Sequence, residues 1–558
     1  MKINILSSNL FLLLILVVSV SCENKNSKRE AELNSLELIR GEITLCGNQE
    51  FGEVDFLVLC SVESRKTFEL GISLLHSFEY EEAEKAFVKT IDLDPNCAMA
   101  YWGIAMSNFH SLWLQSGNKY LEKGSRILEI AQSLPKSERE QDYLDAIYMF
   151  YKDWESINHE KRKLLFENKM KELYEKYPED KEAAIFYALA LNATANPGDK
   201  KYVNQLKAGK ILESIVAGQP NHPGIAHYII HTYDYPELAE RALSTARRYA
   251  EIAPASAHAQ HMPSHIFIRL GLWEESIRSN VNSTASALCY GQSIDPSGHW
   301  DEELHGMDYL VYAYLQIGEN EKALEQLEYL NTFKKVFPVN FKVAYAMAAI
   351  PSRIALENND WLAAAKLEFP PIEFEWTNFP WENSIVHFAR ALGSARSGDT
   401  ESARNELAIL TANHQRLLDV GESYKANQVQ IQITTVSAWI SFAEGKDQEA
   451  VKLMEEAVNM EYNTAKHSVT PGEVLPAGEL LGDLLMEMGN PAKALKAYEF
   501  DLQQHPNRFN GLYGAATAAK AIKEDQKATK YFELLLSNTE NSDKDRKEIQ
   551  EAKEFIDK

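Results

Sequence analysis

The stretch LGISLLHSFEYEEAEKAFVKTIDLDP, from Leu70 to Pro95, decides the fold of this chain. A bulky residue and a tiny one, Leu70 and Gly71, are followed twelve residues later by Ala83, where a second helix can cross the first closely. Phe87 is placed to fill the groove between the two helices, and Pro95 ends the second helix. The stretch therefore predicts a pair of antiparallel helices that pack as one unit.

The same pattern returns near the C-terminus, which indicates a repeat. It is carried there by Leu481, Gly482, Ala494, Tyr498 and Pro506. Ala528 and Phe532 follow Ala494 and Tyr498 after thirty-four residues, which is the period of the tetratricopeptide repeat (TPR). The chain resembles TPR proteins, and the resemblance implies an all-α superhelical solenoid of antiparallel helix pairs over residues 61–540. Weaker copies of the small-residue position fall at Ala239, Ser276, Ala323, Ala363, Ala403 and Ala450.

The N-terminus has the pattern of a bacterial secretion signal over residues 1–21. An unbroken apolar run from Leu10 to Val18 is followed by small residues and then by Cys22. Cys22 resembles a lipobox cysteine, so we expect it to be acylated and to anchor a tether and N-terminal segment over residues 22–60. A plain cleaved signal and an uncleaved anchor are the alternatives. At the other end, residues 541–558 predict a polar helix that caps the last repeat.

Composition narrows the class of partner. The chain of 558 residues has 81 acidic against 57 basic side chains, a formal charge of −24. This excess argues against nucleic acid and anionic lipid headgroups, which require basic patches. The sequence has no phosphate-binding loop, no G-x-S-x-G nucleophile elbow and no Rossmann glycine motif, so those enzyme classes receive no support.

Four cysteines besides Cys22 are candidates for disulfides in a secreted protein. Cys46 and Cys60 flank a short segment before the first repeat, and we predict that they form a bridge. Cys97 and Cys289 are far apart in sequence and are predicted to be small buried residues.

Histidines are concentrated in the middle of the chain. Eight of the fifteen fall between residues 222 and 305, namely His222, His227, His231, His258, His261, His265, His299 and His305. Two pairs, His227 with His231 and His261 with His265, have the i,i+4 spacing that places both imidazoles on one face of a helix. Metal ligands often use this spacing.

The TPR resemblance assigns these residues to positions on the repeats. It implies that the first helix of each pair lines a concave groove, and in this register the groove receives His231, His258, His261, His265 and His305, with Asp308 and Tyr312, and further along the chain Glu479 and Asp483. His227 falls instead at the position of tight helix packing, so its ring is predicted to be structural.

Three interpretations of the histidines stay open at this point. One is a metal site made by His231, His261, His265 and His305, for which zinc or copper suits imidazole ligands. The second is a hydrogen-bonding site for a peptide or a sugar, and the third is a purely structural role. The segments HYIIHTYDYP and HAQHMPSHIFIRLGLW also resemble uncharacterised bacterial TPR lipoproteins with a histidine-rich middle.

The favoured function from sequence is a lipid-anchored scaffold or accessory protein in the bacterial cell envelope, most simply at the outer membrane. Its groove is expected to bind a protein or peptide partner, and the resemblance suggests service to a system of polysaccharide uptake or degradation, with carbohydrate as a further ligand class. The alternative is a metal-binding protein or metal-dependent enzyme that uses the histidines between 231 and 305. An enzyme is the less favoured of the two.

Overall fold

The structure is a computed structural model that describes residues 28–47, 50–112, 117–196, 198–543 and 546–557. The predicted signal, Cys22 and the start of the predicted tether lie outside these residues. Over the described part, α-helices alternate with short turns, and the strands form one two-residue parallel bridge. The predicted all-α fold of antiparallel helix pairs is confirmed.

The chain divides into two compact units, where the sequence predicts one solenoid over 61–540. Of the described residues, unit 1 contains those within 28–44, 51–195 and 204–225, and unit 2 contains those within 45–50, 196–203 and 226–557. Two of the boundaries, at 203/204 and 225/226, fall near the N-terminal ends of helices, and the other three fall between helices.

The helices of unit 1 form successive antiparallel pairs. Their bounds are α1 28–34, α2 Val62–His76, α3 Tyr80–Leu93, α4 Ala98–Ser107, α5 Asn118–Gln132, α6 Glu138–Tyr151, α7 His159–Lys176, α8 Lys181–Ala193 and α9 Val203–Ile215, with a 3₁₀ turn at Val216–Gly218.

Apart from residues 45–50 and 196–203, unit 2 runs from within α10 to the end of the described chain. Its helices are α10 Pro223–Tyr233, α11 Leu243–Ile252, α12 Ala257–His261, α13 Pro263–Arg269, α14 Trp273–Ile294, α15 Asp301–Gln316, α16 Asn320–Leu330, α17 Phe341–Glu357, α18 Trp361–Ala365, α19 Pro380–Arg396, α20 Thr400–Asp419, α21 Ser423–Ala443, α22 Asp447–Tyr462, α23 Ala477–Glu487, α24 Pro491–Gln504, α25 Phe509–Ala521, α26 Asp525–Asn538 and α27 Lys547–Ile556. The strands β1 His299–Trp300 and β2 Val336–Phe337 pair in parallel, and 3₁₀ turns lie at Ala239–Ala242 and Trp376–Asn378.

The small residues that define the repeat let an aromatic ring enter between neighbouring helices. A Cβ atom added to Gly71 would lie 2.7 Å from the Phe87 ring, and one added to Gly103 would lie 2.5 Å from the same ring. The C-terminal repeat has the same arrangement, in which the Tyr498 ring lies 2.4 Å from the Cβ positions of both Gly482 and Gly514. The predicted pairing of a tiny residue with an aromatic residue is therefore the packing device of the fold.

The described C-terminal helix α27 packs against α26. Ile549 and Ala552 are buried, and the Phe555 ring lies 5.1 Å from that of Phe532. Among the described residues, no helix combines the length and the apolar character that a membrane crossing requires.

The disulfide prediction is wrong. The structure pairs Cys46 with Cys289 within unit 2, and Cys60 with Cys97 within unit 1. The sequence separations are 243 and 37 residues, so both pairs depend on how the chain folds back on itself. Proximity along the chain, on which the Cys46–Cys60 prediction depended, does not determine connectivity.

The inner surface of unit 2 is filled by its own chain, so the prediction of an open groove is also wrong. The segment between α22 and α23 lies against α15 and α17: Tyr309 donates its hydroxyl proton to the carbonyl of Val469 over 2.9 Å, and Tyr345 donates to the carbonyl of Gly472 over 3.0 Å. Arg353 donates to the same Gly472 carbonyl over 2.9 Å. Most positions that the TPR register assigns to a groove therefore face a packed interior, whereas His231 and Asp483 are partly exposed.

Candidate histidine metal centre

Six of the predicted histidines meet inside unit 2 in two adjacent groups of three. Within each group the ligand nitrogens all lie within 4.8 Å of one another. Trio 1 is His227, His231 and His258, and trio 2 is His261, His265 and His305. The structure thus brings together His261, His265 and His305 from the predicted metal set, and it places His231 in the neighbouring trio.

Four helices, α10, α12, α13 and α15, position the two trios. His227 and His231 lie one turn apart on α10, with ring centroids 4.7 Å apart. His258 and His261 lie on α12, which ends at His261 and is separated by Met262 from the proline that begins α13. His265 follows on α13 and His305 lies in the first half of α15. The i,i+4 spacing of His261 and His265 survives the break between α12 and α13.

Burial lowers the pKa values of the three histidines of trio 2. Trio 2 is closed from solvent, with exposed fractions of 0% for His261, 1% for His265 and 5% for His305, whereas His231 of trio 1 is partly exposed. Burial lowers the pKa of His265 to about 4, and the carboxylate of Asp234 opposes that shift only in part. Burial, and then the neighbouring imidazoles, hold the pKa values of His261 and His305 well below the usual value. The imidazoles of trio 2 are therefore neutral at pH 7.

The proton of His265 is on Nδ1, because that nitrogen lies 3.1 Å from Oδ2 of Asp234. Although burial alone would raise it, the charges of Lys466 and Arg269 hold the pKa of Asp234 well below its usual range. An ionised carboxylate can only accept a hydrogen bond. The Nε2 atom of a neutral His265 consequently carries a lone pair and no hydrogen.

The proton of His261 is on Nδ1 for an independent reason. Its Nδ1 atom lies 2.6 Å from Oδ1 of Asn280, and the Asn280 amide nitrogen donates to the carbonyl of Ser276 over 2.8 Å. The second bond fixes the orientation of the amide, so the group that faces His261 is an acceptor. Nε2 of His261 is again a bare lone pair.

These two lone pairs face each other, since the Nε2 atoms of His261 and His265 are 3.1 Å apart. The hydroxyl oxygen of Tyr309 is 3.3 Å from Nε2 of His265, but Tyr309 donates its hydroxyl proton to the carbonyl of Val469 and not to this nitrogen. Two nitrogens at this separation, each about 2.0–2.1 Å from one ion, would subtend roughly 100° at that ion, close to a tetrahedral angle. The ring of His305, centred 4.2 Å from that of His261, supplies a third nitrogen.

Asp234 also connects trio 2 to a pocket in unit 2. It accepts from Nε of Arg269 over 2.9 Å and from Nζ of Lys466 over 3.1 Å, as well as from His265. Arg269 and Lys466 line a pocket of about 680 Å³, measured to its open mouth, to which Glu473 and His505 also contribute. A single hydrogen-bonded layer therefore separates trio 2 from a charged pocket. Burial lowers the pKa of Lys466 to about 8.

A third group of potential ligands, in unit 1, has a different character. Glu182 lies 3.0 Å from Nε2 of His76 and 2.8 Å from Nε2 of His222. The backbone N–H of Ile225 donates to Nδ1 of His222 over 3.4 Å, so Nε2 of His222 carries the hydrogen that it donates to Glu182. Burial opposes ionisation of Glu182, yet the two histidines lower its pKa to about 2. This group is a hydrogen-bonded clamp that fixes α2 and α8.

The predicted groove residues are structural contacts in unit 2. The carboxylate of Asp308 accepts from Nε of Arg353 over 3.1 Å. Arg508 donates to the Tyr312 hydroxyl over 3.0 Å and to Glu479 over 3.0 Å. These three predicted groove residues and His258 are at most 4% exposed. Asp483, which is partly exposed, accepts from the hydroxyl of Tyr498 over 2.7 Å and from Arg396 over 3.1 Å.

The sequence does not reveal the roles of two residues in this region. It predicts helix packing for His227, and the ring does stack on Tyr249 with centroids 5.3 Å apart, but its Nε2 also lies 3.2 Å from Nε2 of His258. No motif in the sequence marks Asp234, although it lies three residues after His231 in the quoted histidine-rich segment. By contrast, His299 lies outside both trios and contacts Glu303 over 2.9 Å.

Comparisons with known proteins find similarity to solved structures at low sequence identity. No protein-family model matches the chain, and no curated protein matches it. Among solved structures, the chain is similar to a human IFIT1 dimer with m7Gppp-AAAA, with 12% identity, 83% of this chain and 94% of that chain covered, and a TM-score of 0.36.

Two further structures show similarity of the same order. A human IFIT1 dimer with PPP-AAAA has 14% identity, covers 91% of this chain and 99% of that chain, and gives a TM-score of 0.34. A crystal structure of the APC/C hetero-tetramer Cut9-Hcn1 has 12% identity, with 88% of this chain and 95% of that chain covered, and a TM-score of 0.27. Because all three TM-scores are below 0.5, the assignment of the fold depends on the helix pairs described above.

Proposed function

We propose that this protein binds a late first-row transition-metal ion, zinc or copper, through His261, His265 and His305. The observation that carries the proposal is the contact between two bare Nε2 atoms, 3.1 Å apart, whose tautomers are fixed by Asp234 and Asn280. Two lone pairs at this distance repel each other unless a cation lies between them. A proton is a poor candidate for that cation, because burial opposes a charge on either ring.

The donor set fits such an ion. Three neutral imidazole nitrogens are the usual ligands of zinc and copper, and hard ions such as magnesium and calcium prefer oxygen. The contact of Nδ1 with Asp234 is an outer-shell arrangement that orients a ligating histidine and raises its basicity. Three protein ligands leave one coordination position of a tetrahedral ion for an exogenous ligand.

The test is a metal analysis of the full chain purified without a polyhistidine tag. We expect a bound ion in the wild type and its loss in His265→Gln, with helicity by circular dichroism unchanged. His467→Gln is the matched control, because His467 is a partly buried imidazole of unit 2 outside both trios, whose Nδ1 accepts from the backbone of Val469. If the wild type takes up no ion after incubation with zinc or copper, the proposal is wrong.

We also propose that the protein is anchored through an acylated Cys22 in the bacterial cell envelope, at the outer membrane. The apolar run before Cys22 and the small residues next to it support this. Two disulfides in the described residues agree with an oxidising compartment outside the cytoplasm. Incorporation of labelled palmitate that is lost in Cys22→Ser would support the anchor, and equal labelling of both proteins would contradict it.

A second candidate function, binding of a protein partner as a TPR-like scaffold, has one observation in its favour. In unit 1, Leu57, Leu59 and Val62 are 72%, 62% and 84% exposed, while Phe56 and Val58 next to them are buried. One apolar face of this segment is thus presented to solvent.

The partner that we propose belongs to an envelope complex for polysaccharide uptake or degradation. In-cell crosslinking at residue 59 that is abolished by Leu57→Asp, with the fold intact, would support it, and unchanged crosslinking would count against it. The exclusion of nucleic acid stays a prediction from charge.

A further inference from the structure

Trio 1 lies beside trio 2 and likewise brings three imidazoles close together. Its Nε2 atoms of His227 and His258 are 3.2 Å apart, and all three of its ligand nitrogens lie within 4.8 Å of one another. Two such nitrogens on one ion, at about 2.0–2.1 Å each, again subtend roughly 100°. Both trios therefore offer the same donor geometry to an ion.

The two trios share a wall. The ring centroids of His231 and His265 are 6.1 Å apart, and those of His258 and His261 are 6.3 Å apart. His258 and His261 also lie on the same five-residue helix, α12. One short helix thus supplies a ligand to each trio, so the position of one trio cannot change without the other.

Each trio has a carboxylate beside one of its histidines. In trio 2, Nδ1 of His265 is hydrogen-bonded to Asp234 over 3.1 Å, and in trio 1, Nδ1 of His258 lies 3.6 Å from Oε2 of Glu302, which is an ion-pair distance and too long for a hydrogen bond. Lys466 forms an ion pair with Asp234, and Lys342 forms one with Glu302. A carboxylate near a ligating histidine is common in the second shell of metal sites.

We propose that trio 1 is a second metal site and that unit 2 holds a pair of neighbouring zinc or copper ions, one per trio. The inference deepens the proposed function and depends on it, since the second ion is placed beside the first. All six ligands are imidazoles, which carry no negative charge, so the charge of the two ions is balanced from outside the first shell, by Asp234 and Glu302 and by any anion that occupies the open coordination positions. The class of exogenous ligand that we expect to bind the two ions is therefore a small anion.

The first experiment counts ions in four versions of the full chain, each loaded with Zn²⁺ and passed through a desalting column. We expect about two ions per chain in the wild type and in the control His467→Gln, and about one in His227→Gln and in His305→Gln. A wild type with about one ion that His227→Gln retains and His305→Gln loses would overturn the second site and leave the proposed function standing. A wild type with no ion would overturn both.

The second experiment uses Cu²⁺, and its main result comes from the wild type alone. Two neighbouring Cu²⁺ ions couple magnetically, so the integrated electron paramagnetic resonance signal of the wild type should fall well below its copper content. In His227→Gln the signal should equal the copper content, since one isolated ion remains. A wild-type signal that accounts for all of its bound copper would overturn the paired site.

Discussion

Replacement of Glu382 by glutamine should stabilise the protein at alkaline pH. Glu382 lies in the first turn of α19, is 1% exposed, and has an Oε1 atom with no hydrogen-bond partner among the described residues. Burial raises the pKa of its carboxyl to about 7, and the charge of Lys425 only partly opposes the shift. An acid whose pKa is higher in the folded state than in the unfolded state opposes folding once it ionises.

The sign and size of the effect follow from linkage. Between pH 4.5 and pH 7 the folded state binds more protons than the unfolded state, so the free energy of unfolding falls as pH rises through this window. A shift from 4.5 to about 7, at about 1.36 kcal/mol per pKa unit, corresponds to roughly 3 kcal/mol above pH 7 and to nothing below pH 4.5. Glu382→Gln removes the ionisation and keeps the shape of the side chain.

Urea denaturation followed by circular dichroism at pH 4 and at pH 8 measures this difference. We expect Glu382→Gln to gain roughly 3 kcal/mol relative to the wild type at pH 8 and to match it within about 0.5 kcal/mol at pH 4. Glu401→Gln is the control, because Glu401 is an exposed acid in the first turn of α20, and its replacement should have little effect at either pH. An equal change at both pH values in Glu382→Gln would refute the reasoning.

Two further predictions concern packing and crosslinks. Gly514→Ala places a Cβ atom 2.4 Å from the Tyr498 ring and should lower the free energy of unfolding by about 1–3 kcal/mol. Adding Tyr498→Leu to this variant should restore part of the lost stability. An unchanged free energy of unfolding in Gly514→Ala would contradict the close packing. Loss of the Cys60–Cys97 bridge through Cys60→Ser should cost roughly 4 kcal/mol by the loop-entropy relation for a separation of 37 residues. Peptide mapping without reduction should recover both disulfides of the structure, and a peptide that joins Cys46 to Cys60 would contradict them.

The repeat could be predicted from sequence because its signal is local. Gly71 and Phe87 belong to one helix pair, and the same volumes recur in Gly482 and Tyr498, so a fixed spacing reveals them. The spacing of His261 and His265 is local in the same way. Short-range geometry of this kind survives even where α12 ends and α13 begins.

The filled interior could not be predicted, because it depends on contacts between distant parts of the chain. Tyr309 meets Val469 across 160 residues, and Arg508 meets Tyr312 across 196. A repeat register specifies which face of a helix is turned inward, and it contains no information about what fills that space. The same limit explains the disulfide between Cys46 and Cys289, which are 243 residues apart.

The prediction for His227 is incomplete for a different reason, namely an irregularity in the repeat. An ideal register places it in the helix contact, and it does stack on Tyr249, but the same ring also reaches His258. The short α12 follows an irregular turn, and it brings His258 over α10 at a position that a regular repeat does not predict. Irregular helices of this kind are where a repeat pattern loses its predictive value.

The most direct test of the metal centre is elemental mass spectrometry of the full chain, purified without a polyhistidine tag, beside the double variant His261→Gln/His265→Gln. The contact of two bare imidazole nitrogens predicts bound zinc or copper in the wild type and its loss from trio 2 in the variant, with helicity retained. Metal-free wild-type protein that stays metal-free after incubation with both ions, or a variant that retains the full metal content, would contradict the account.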